Sequence, residues 1–457
     1  MIFLCPFIFV KLPCDLERRA KLKTIRKSAA IVLVVIMMLQ QSVLAAERRT
    51  FENELDAAAA FADIVSEGED TLYLSVPARF DFTLCYHYFT MMYRDAYVFE
   101  YVPSQMNSYI KIVYNDAEKH KAAEKEAARL AAALVRDDMD LTAKYHAIYE
   151  YLRSNCKYDM HAAMNQATEA GGDAFSAYGA LVNGMAVCDG ISAAFAMVCR
   201  AAGLPCIYVA SQEMNHSWNV VLLGEEIRYV DVTYDMTAGT KDKYFMLDAD
   251  ALSADHTWDK DMTGEVVAKL WDERFVSAYT LNAVGGLFRG SDKGWELERR
   301  PTRAEAAIML VRFLGLEQQA LAGTADQSPF NDVNPNHRPY IDLLYSKGLT
   351  RGTSPDTFTP NEEISLRDYL TFMLRAMGYS EAADQFEWET APEDALGLGV
   401  LGQEQYDKLT SSVFDRGMMA YASLSILKAE NASGVPVYRQ LIKAGALSEK
   451  KVEEILK

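Results

Sequence analysis

The stretch that most restricts the fold runs from Asn183 to Cys206, NGMAVCDGISAAFAMVCRAAGLPC. Ile191, Ala194, Phe195, Val198 and Ala202 recur within it at helical spacing, and Gly203 and Pro205 stop the pattern. The next segments, CIYVA, HSWNVVLL and IRYVDVTYD, read as strands, the last two joined at Gly224 and Glu225. A helix laid against an antiparallel sheet is an α+β pattern. Cys188 falls at the start of the helix and Cys199 in its last turn.

A thiol is a useful nucleophile only as thiolate, and a free cysteine, titrating near about 8.5, is mostly protonated at neutral pH. At a helix start the macrodipole and the unpaired N–H groups favour an anion, so Cys188 is placed for activation. Cys199 and Cys206 read as small buried hydrophobes. Gly184 and Gly190 flank Cys188 and let backbone and substrate approach closely. With a two-residue loop at Gly224 and Glu225, paired residue numbers sum to 449; His216 then faces Thr233, with Asp231 its diagonal neighbour on the same face. In that register Asp231 holds one imidazole nitrogen of His216 while the other points at Cys188, the orienter, base and nucleophile of acyl transfer. His256, in DHTWD, reads mainly as a surface or structural residue, with a position near the site as the alternative.

GMAVCDGISAAF around Cys188, HSWNVV at His216 and IRYVDVTYD at Asp231 resemble, in this order and at ordinary spacing, the three motifs of the transglutaminase-like superfamily. The likeness extends from about Leu141 to Asp259; KYHAIYEYLRSNCKYD before the core and YFMLDADALSADHTWD after it resemble the secreted bacterial branch. The resemblance implies a papain-like α+β core, with the cysteine's helix packed on an antiparallel sheet and with Cys188, His216 and Asp231 as nucleophile, base and orienter. The thiolate of such a site attacks an amide carbonyl, the Cys188 backbone N–H is the natural donor to the oxyanion, and His216 protonates the leaving amine. An amine acceptor then gives crosslinking, and water gives proteolysis or deamidation. Tyr178, Asn183 and Trp218 are candidates for the cleft or the oxyanion site, Trp218 also for shielding the ion pair.

Arg18, Arg19, Lys21, Lys23, Arg26 and Lys27 precede an apolar run from Ala29 to Leu39 and the small-residue site SVLAAE, a secretory signal cleaved near Ala45 or Ala46. MIFLCPFIFVKLPC is an extension ahead of an already complete signal, as a start codon assigned too early would leave. No later run approaches the roughly 20 apolar residues of a spanning helix, so no stable membrane insertion is expected after cleavage. Cleavage leaves Cys85, Cys156, Cys188, Cys199 and Cys206, an odd number, so at least one thiol stays free or pairs between chains. No CxxC occurs, and neither metal nor cofactor is called for. The formal net charge of −18 argues against sequence-independent nucleic-acid binding, which needs clustered Lys and Arg.

Beyond about Trp271 the chain turns helical and repeats itself. GLFRGSDKGWELERRPTRAEAAIMLVRFLGL returns as GLTRGTSPDTFTPNEEISLRDYLTFMLRAMGY, and a fainter copy ends in LTSSVFDRGMMAYASLSILKA. A period of about 60 residues means stacked units. Phe330, Asp332, Val333, Gly348, Gly352, Phe358 and Pro360, with Thr302, Arg303, Ala304 and Glu305 in the first copy, resemble the S-layer homology module. The second copy departs from it at Ser365, Leu366, Arg367 and Asp368, and the third keeps little beyond Phe414, Asp415 and Arg416. The resemblance implies three modules in one trefoil of helices that grips anionic, often pyruvylated, cell-wall polysaccharide. Arg303, Arg367 and Arg416, each at the head of a closing helix, offer bidentate donors to carboxylates there.

The expected organisation is a signal with its extension over 1–46, an N-terminal region of the catalytic module over 47–130, and a transglutaminase-like domain over 131–272. An all-α domain of three repeats occupies 273–457, at about 273–318, 328–380 and 384–430, with a tail after them. The expected function is that of a secreted, wall-anchored cysteine acyl-transfer enzyme of a Gram-positive type of bacterium, acting on peptide or protein amides. The alternative is a catalytically silent wall protein whose papain-like fold only binds peptide.

Overall fold

The computed structural model describes residues 49–456 except 96, 104–107, 166–171, 292–293 and 324; the signal and its extension lie outside the described residues. The first part of the chain folds as β1 (Arg49–Thr50), α1 (Glu54–Ser66), β2 (Thr71–Ser75), α2 (Phe82–Met92), β3 (Tyr97–Val102) and β4 (Ser108–Tyr114), the strands lying in the order β1-β2-β4-β3. The aromatic run FTLCYHYFTMM has strand propensity, yet it is the helix α2. Asp81 decides this locally by capping the N–H groups of Thr83 and Leu84, and burial of Cys85, Tyr88, Phe89 and Met91 supports it.

Next come two long helices, α3 (Ala117–Leu134) capped by Asp116 and α4 (Leu141–Asn155) capped by Asp140, as composition and capping residues predict. Two short parallel strands, β5 (Lys157–Tyr158) and β6 (Met185–Ala186), then lead into α5 (Cys188–Ala201). This helix is buried on nearly every side. It lies between α3 and α4 and an antiparallel sheet of β7 (Cys206–Ser211), β8 (His216–Leu223), β9 (Glu226–Val230) and β10 (Phe245–Leu247), ordered β10-β9-β8-β7. The fully buried Asn219 pins β8 to α5 by donating to Ser192 O at 3.0 Å.

The β8–β9 register pairs Leu223 with Glu226 and Asn219 with Val230, the register read from the sequence. Gly224 takes φ 62° in the connecting turn. One expectation fails: IRYVDVTYD is not a single strand. The ladder ends at Val230 because the Asp231 carboxylate accepts from Tyr234 N at 3.0 Å and starts α6 (Val232–Ala238), so Thr233 is helical and does not face His216.

The rest of the chain is helical: α7 (Lys260–Leu270), α8 (Glu273–Gly285), α9 (Arg303–Phe313), α10 (Arg338–Ser346), α11 (Leu366–Ala376), α12 (Arg416–Lys428) and α13 (Glu449–Ile455), with shorter turns between. The three closing helices α9, α11 and α12 are capped by Thr302, Ser365 and Asp415. The copies interlock: Arg303 N–H donates to Glu362 O, Ile364 N–H to Pro301 O, and Arg416 N–H to Arg299 O. The tail docks back on the sheet domain, where Glu454 accepts from both the backbone N–H and the hydroxyl of Thr142 at 2.7 Å. Among the described residues one large apolar core runs through both parts, with a small separate cluster of Ala162, Phe175 and Val187. Among the described residues no helix is long and apolar enough to cross a membrane.

Candidate active site

Cys188 is the first residue of α5, and the extended Val187 before it provides no side-chain cap. The N–H groups of the first turn are therefore left to other partners. Gly190 serves packing rather than substrate approach: a Cβ there would stand 2.5 Å from Ala174 O and 2.7 Å from Ser176 O, because that loop clamps the helix start.

His216 opens β8, bound to Asp231 and near enough to Cys188 to interact with it. Its Nε2–H donates to Asp231 Oδ2 at 2.6 Å. Burial disfavours the imidazolium, but the hydrogen bonds and charges of Asp231 and Cys188 outweigh it and carry His216 up to about 9. Burial would likewise raise Asp231, yet donation from His216, His256 and the Tyr234 N–H holds its carboxyl below the ordinary value. The cysteine, histidine and aspartate singled out in the sequence stand together, with His216 hydrogen-bonded to Asp231 and beside Cys188.

Three further residues join them. His256 is fully buried; its Nε2 donates to Asp231 Oδ2 at 3.0 Å, and its Nδ1 lies 2.7 Å from Asp255 Oδ1, so it is neither a surface residue nor remote from the site. Tyr234 stacks on His216 with ring centroids 4.6 Å apart. Tyr158, brought to the nucleophile by the β5–β6 pairing, lies close enough to Cys188 to interact with its thiol and backbone. Burial, reinforced by Cys188, pushes the Tyr158 phenol up to about 12, which keeps its proton in place at neutral pH.

The cleft candidates fall elsewhere. Trp218 is fully buried beneath His216, edge-on to His256 and Trp258, and so shields the row instead of lining a cleft. Asn183 is exposed and donates to Asp173 at 3.2 Å. Tyr178 packs its ring 5.5 Å from the Lys119 ammonium, on a cavity of about 260 Å³ shared with Asp95 and His120. As for a metal, His216, Asp231 and His256 place ligand atoms within 4.8 Å of one another, but both imidazoles donate to the same carboxylate oxygen, bonds that an ion would have to replace.

In the array, Arg416 is not available to an outside ligand. It is buried, with Nη1 2.6 Å from Glu305 Oε1 and further donations to Trp295 O and Arg289 O. Arg303 donates to Phe358 O and lies over the rings of Phe358 and Phe372; among the described residues its guanidinium makes no ion pair. Arg367 is exposed and lies over Trp388, whose indole N–H donates to Asp368.

Residues 128–236 match the sequence model of the transglutaminase-like superfamily, and residues 329–369 match that of the S-layer homology domain. A "Cell surface protein" of Thermoanaerobacter kivui is 33% identical over 122 residues, 26% of this chain and 16% of that protein. "Cell surface glycoprotein 1" of Acetivibrio thermocellus is 31% identical over 99 residues, 20% of this chain and 4% of that protein. This chain therefore spans only a small part of either relative's length. A solved structure titled "Crystal structure of a TGase" is 16% identical, covers 41% of this chain and 59% of its own, and aligns with a TM-score of 0.22, too loose a fit to carry an argument.

Proposed function

We propose that this chain, which carries a transglutaminase-like domain and an S-layer homology domain, is a cell-surface cysteine acyl-transfer enzyme acting on peptide or protein amides. The observation that carries this reading is the row Cys188, His216, Asp231 at the N-terminal end of a buried helix. His216 carries the proton given up by the Cys188 thiol, and the thiolate attacks the amide carbonyl carbon. The oxyanion takes the Cys188 N–H, and collapse expels the amine with the proton from His216. The acyl-thioester then passes to an amine or to water. Asp231 keeps His216 in the tautomer that faces the sulfur.

The S-layer homology domain and the names of the two relatives support delivery of this chemistry to the cell wall, with Arg303 and Arg367 as the donors offered to an anionic wall polysaccharide. The test is incorporation of a labelled primary amine into a glutamine-bearing protein, run beside cleavage of the same protein. Either activity, lost in Cys188→Ala, supports the reading; neither activity leaves only a wall protein that binds peptide.

A further inference from the structure

We infer that Arg94 is a positioning residue for the nucleophile, tying the N-terminal sheet region to the first turn of α5 through Asp189. This rests on the reading of Cys188 as the nucleophile. Asp189 directly follows Cys188. Its carboxylate suits a helix N-terminus, but beside a developing thiolate it is a like charge. Arg94, between α2 and β3, answers it with a fork: Nε donates to Oδ1 at 2.9 Å and Nη2 to Oδ2. A third donation goes to the Asp95 carbonyl, and Tyr208 from β7 donates to Asp189 Oδ1 at 3.0 Å.

The pair is largely withdrawn from water, with side-chain exposures of 16% and 21%, so solvent screens it weakly. The fork also fixes orientation, which a lysine would not. The surrounding groups are few. Tyr158 and His216 face Cys188, and Asp231 and Tyr234 stand behind His216. Tyr208 faces Asp189, and Tyr97 lies near Arg94, while the Asp95 carboxylate is held by His120. Arg94 is thus the permanent cation set against Asp189, and the role of the N-terminal region is to supply it.

The test uses the full mature chain and reads the rate of iodoacetamide labelling at Cys188 against pH, with melting temperature alongside. Arg94→Gln that still folds is expected to label about tenfold more slowly at neutral pH, with the profile moved to higher pH, because Asp189 is left uncompensated. The double variant Arg94→Gln, Asp189→Asn is expected to return to within about threefold of wild type. Asp189→Asn alone, which keeps the arginine, is expected to label at least as fast as wild type, and it decides the matter if Arg94→Gln does not fold. A folded Arg94→Gln with the wild-type profile, or a slowed Asp189→Asn, overturns the inference. Wild-type Cys188 no more reactive than the other thiols overturns the nucleophile reading, and this inference with it.

Discussion

His256 and His216 donate to the same oxygen of Asp231, at 3.0 Å and 2.6 Å. One buried carboxylate thus serves two imidazoles, and the second is itself anchored at 2.7 Å by Asp255. Replacing His256 with Leu removes one charge-assisted hydrogen bond from Asp231, a loss of about 1.5–3 kcal/mol, or roughly tenfold to a hundredfold in kcat/KM. His256→Gln, which can still donate to Asp231, is expected to recover part of it. Kinetics of amine incorporation or peptide cleavage for the two variants checks this.

Tyr158 stands beside Cys188 and interacts with it. If its hydroxyl donates to the developing charge, Tyr158→Phe lowers kcat by roughly tenfold to a hundredfold with KM little changed. A variant with unchanged or faster kcat would show that the tyrosine merely occupies the site until substrate arrives.

The row also predicts a pH dependence of stability. His216 is raised from 6.5 to about 9, so the stability it contributes is full below about pH 6.5 and is lost as pH rises through about 9. Asp231 is shifted the other way: its contribution is present above its ordinary 3.8 and lost as pH falls through its lower folded value. The difference in Tm between wild type and His216→Gln is therefore expected to fade from pH 6.5 toward 9. A constant difference would contradict the ion-pair reading.

Two arginines at equivalent repeat positions should behave oppositely. Arg416→Met removes a buried guanidinium from Glu305, which keeps Arg299, and is expected to cost about 1.5–3 kcal/mol of stability. Arg367→Gln, exposed, is expected to leave stability within about 0.5 kcal/mol while weakening sedimentation with purified cell walls. Thermal melts and wall pelleting on the full chain separate the two.

The helix α5, its neighbouring strands and the pairing of Leu223 with Glu226 are legible in the sequence because local patterns encode them: apolar periodicity, a Gly-Pro stop and a two-residue turn. Asp231 has the partner its spacing suggests but belongs to a different element, since its capping of Tyr234 outcompetes strand propensity. The hidden features depend on contacts remote in sequence. Tyr158 reaches Cys188 only through a parallel pairing of two-residue strands, and Arg94 reaches Asp189 across 95 positions. His256 lies in a motif visible in the sequence, but nothing local shows that a histidine 25 residues beyond Asp231 returns to it. The inward turn of Arg416 comes from packing against Glu305, which its eroded motif does not announce.

The most direct measurement is the labelling order of Cys85, Cys156, Cys188, Cys199 and Cys206 by iodoacetamide at neutral pH, mapped by mass spectrometry. Burial pushes Cys85 up to about 12 and Cys156 up to about 11, and it raises Cys199 as well. The result expected is rapid alkylation at Cys188 that outruns the others and is lost in His216→Gln. Equal labelling of all five thiols, or labelling of Cys188 indifferent to His216, would contradict the triad.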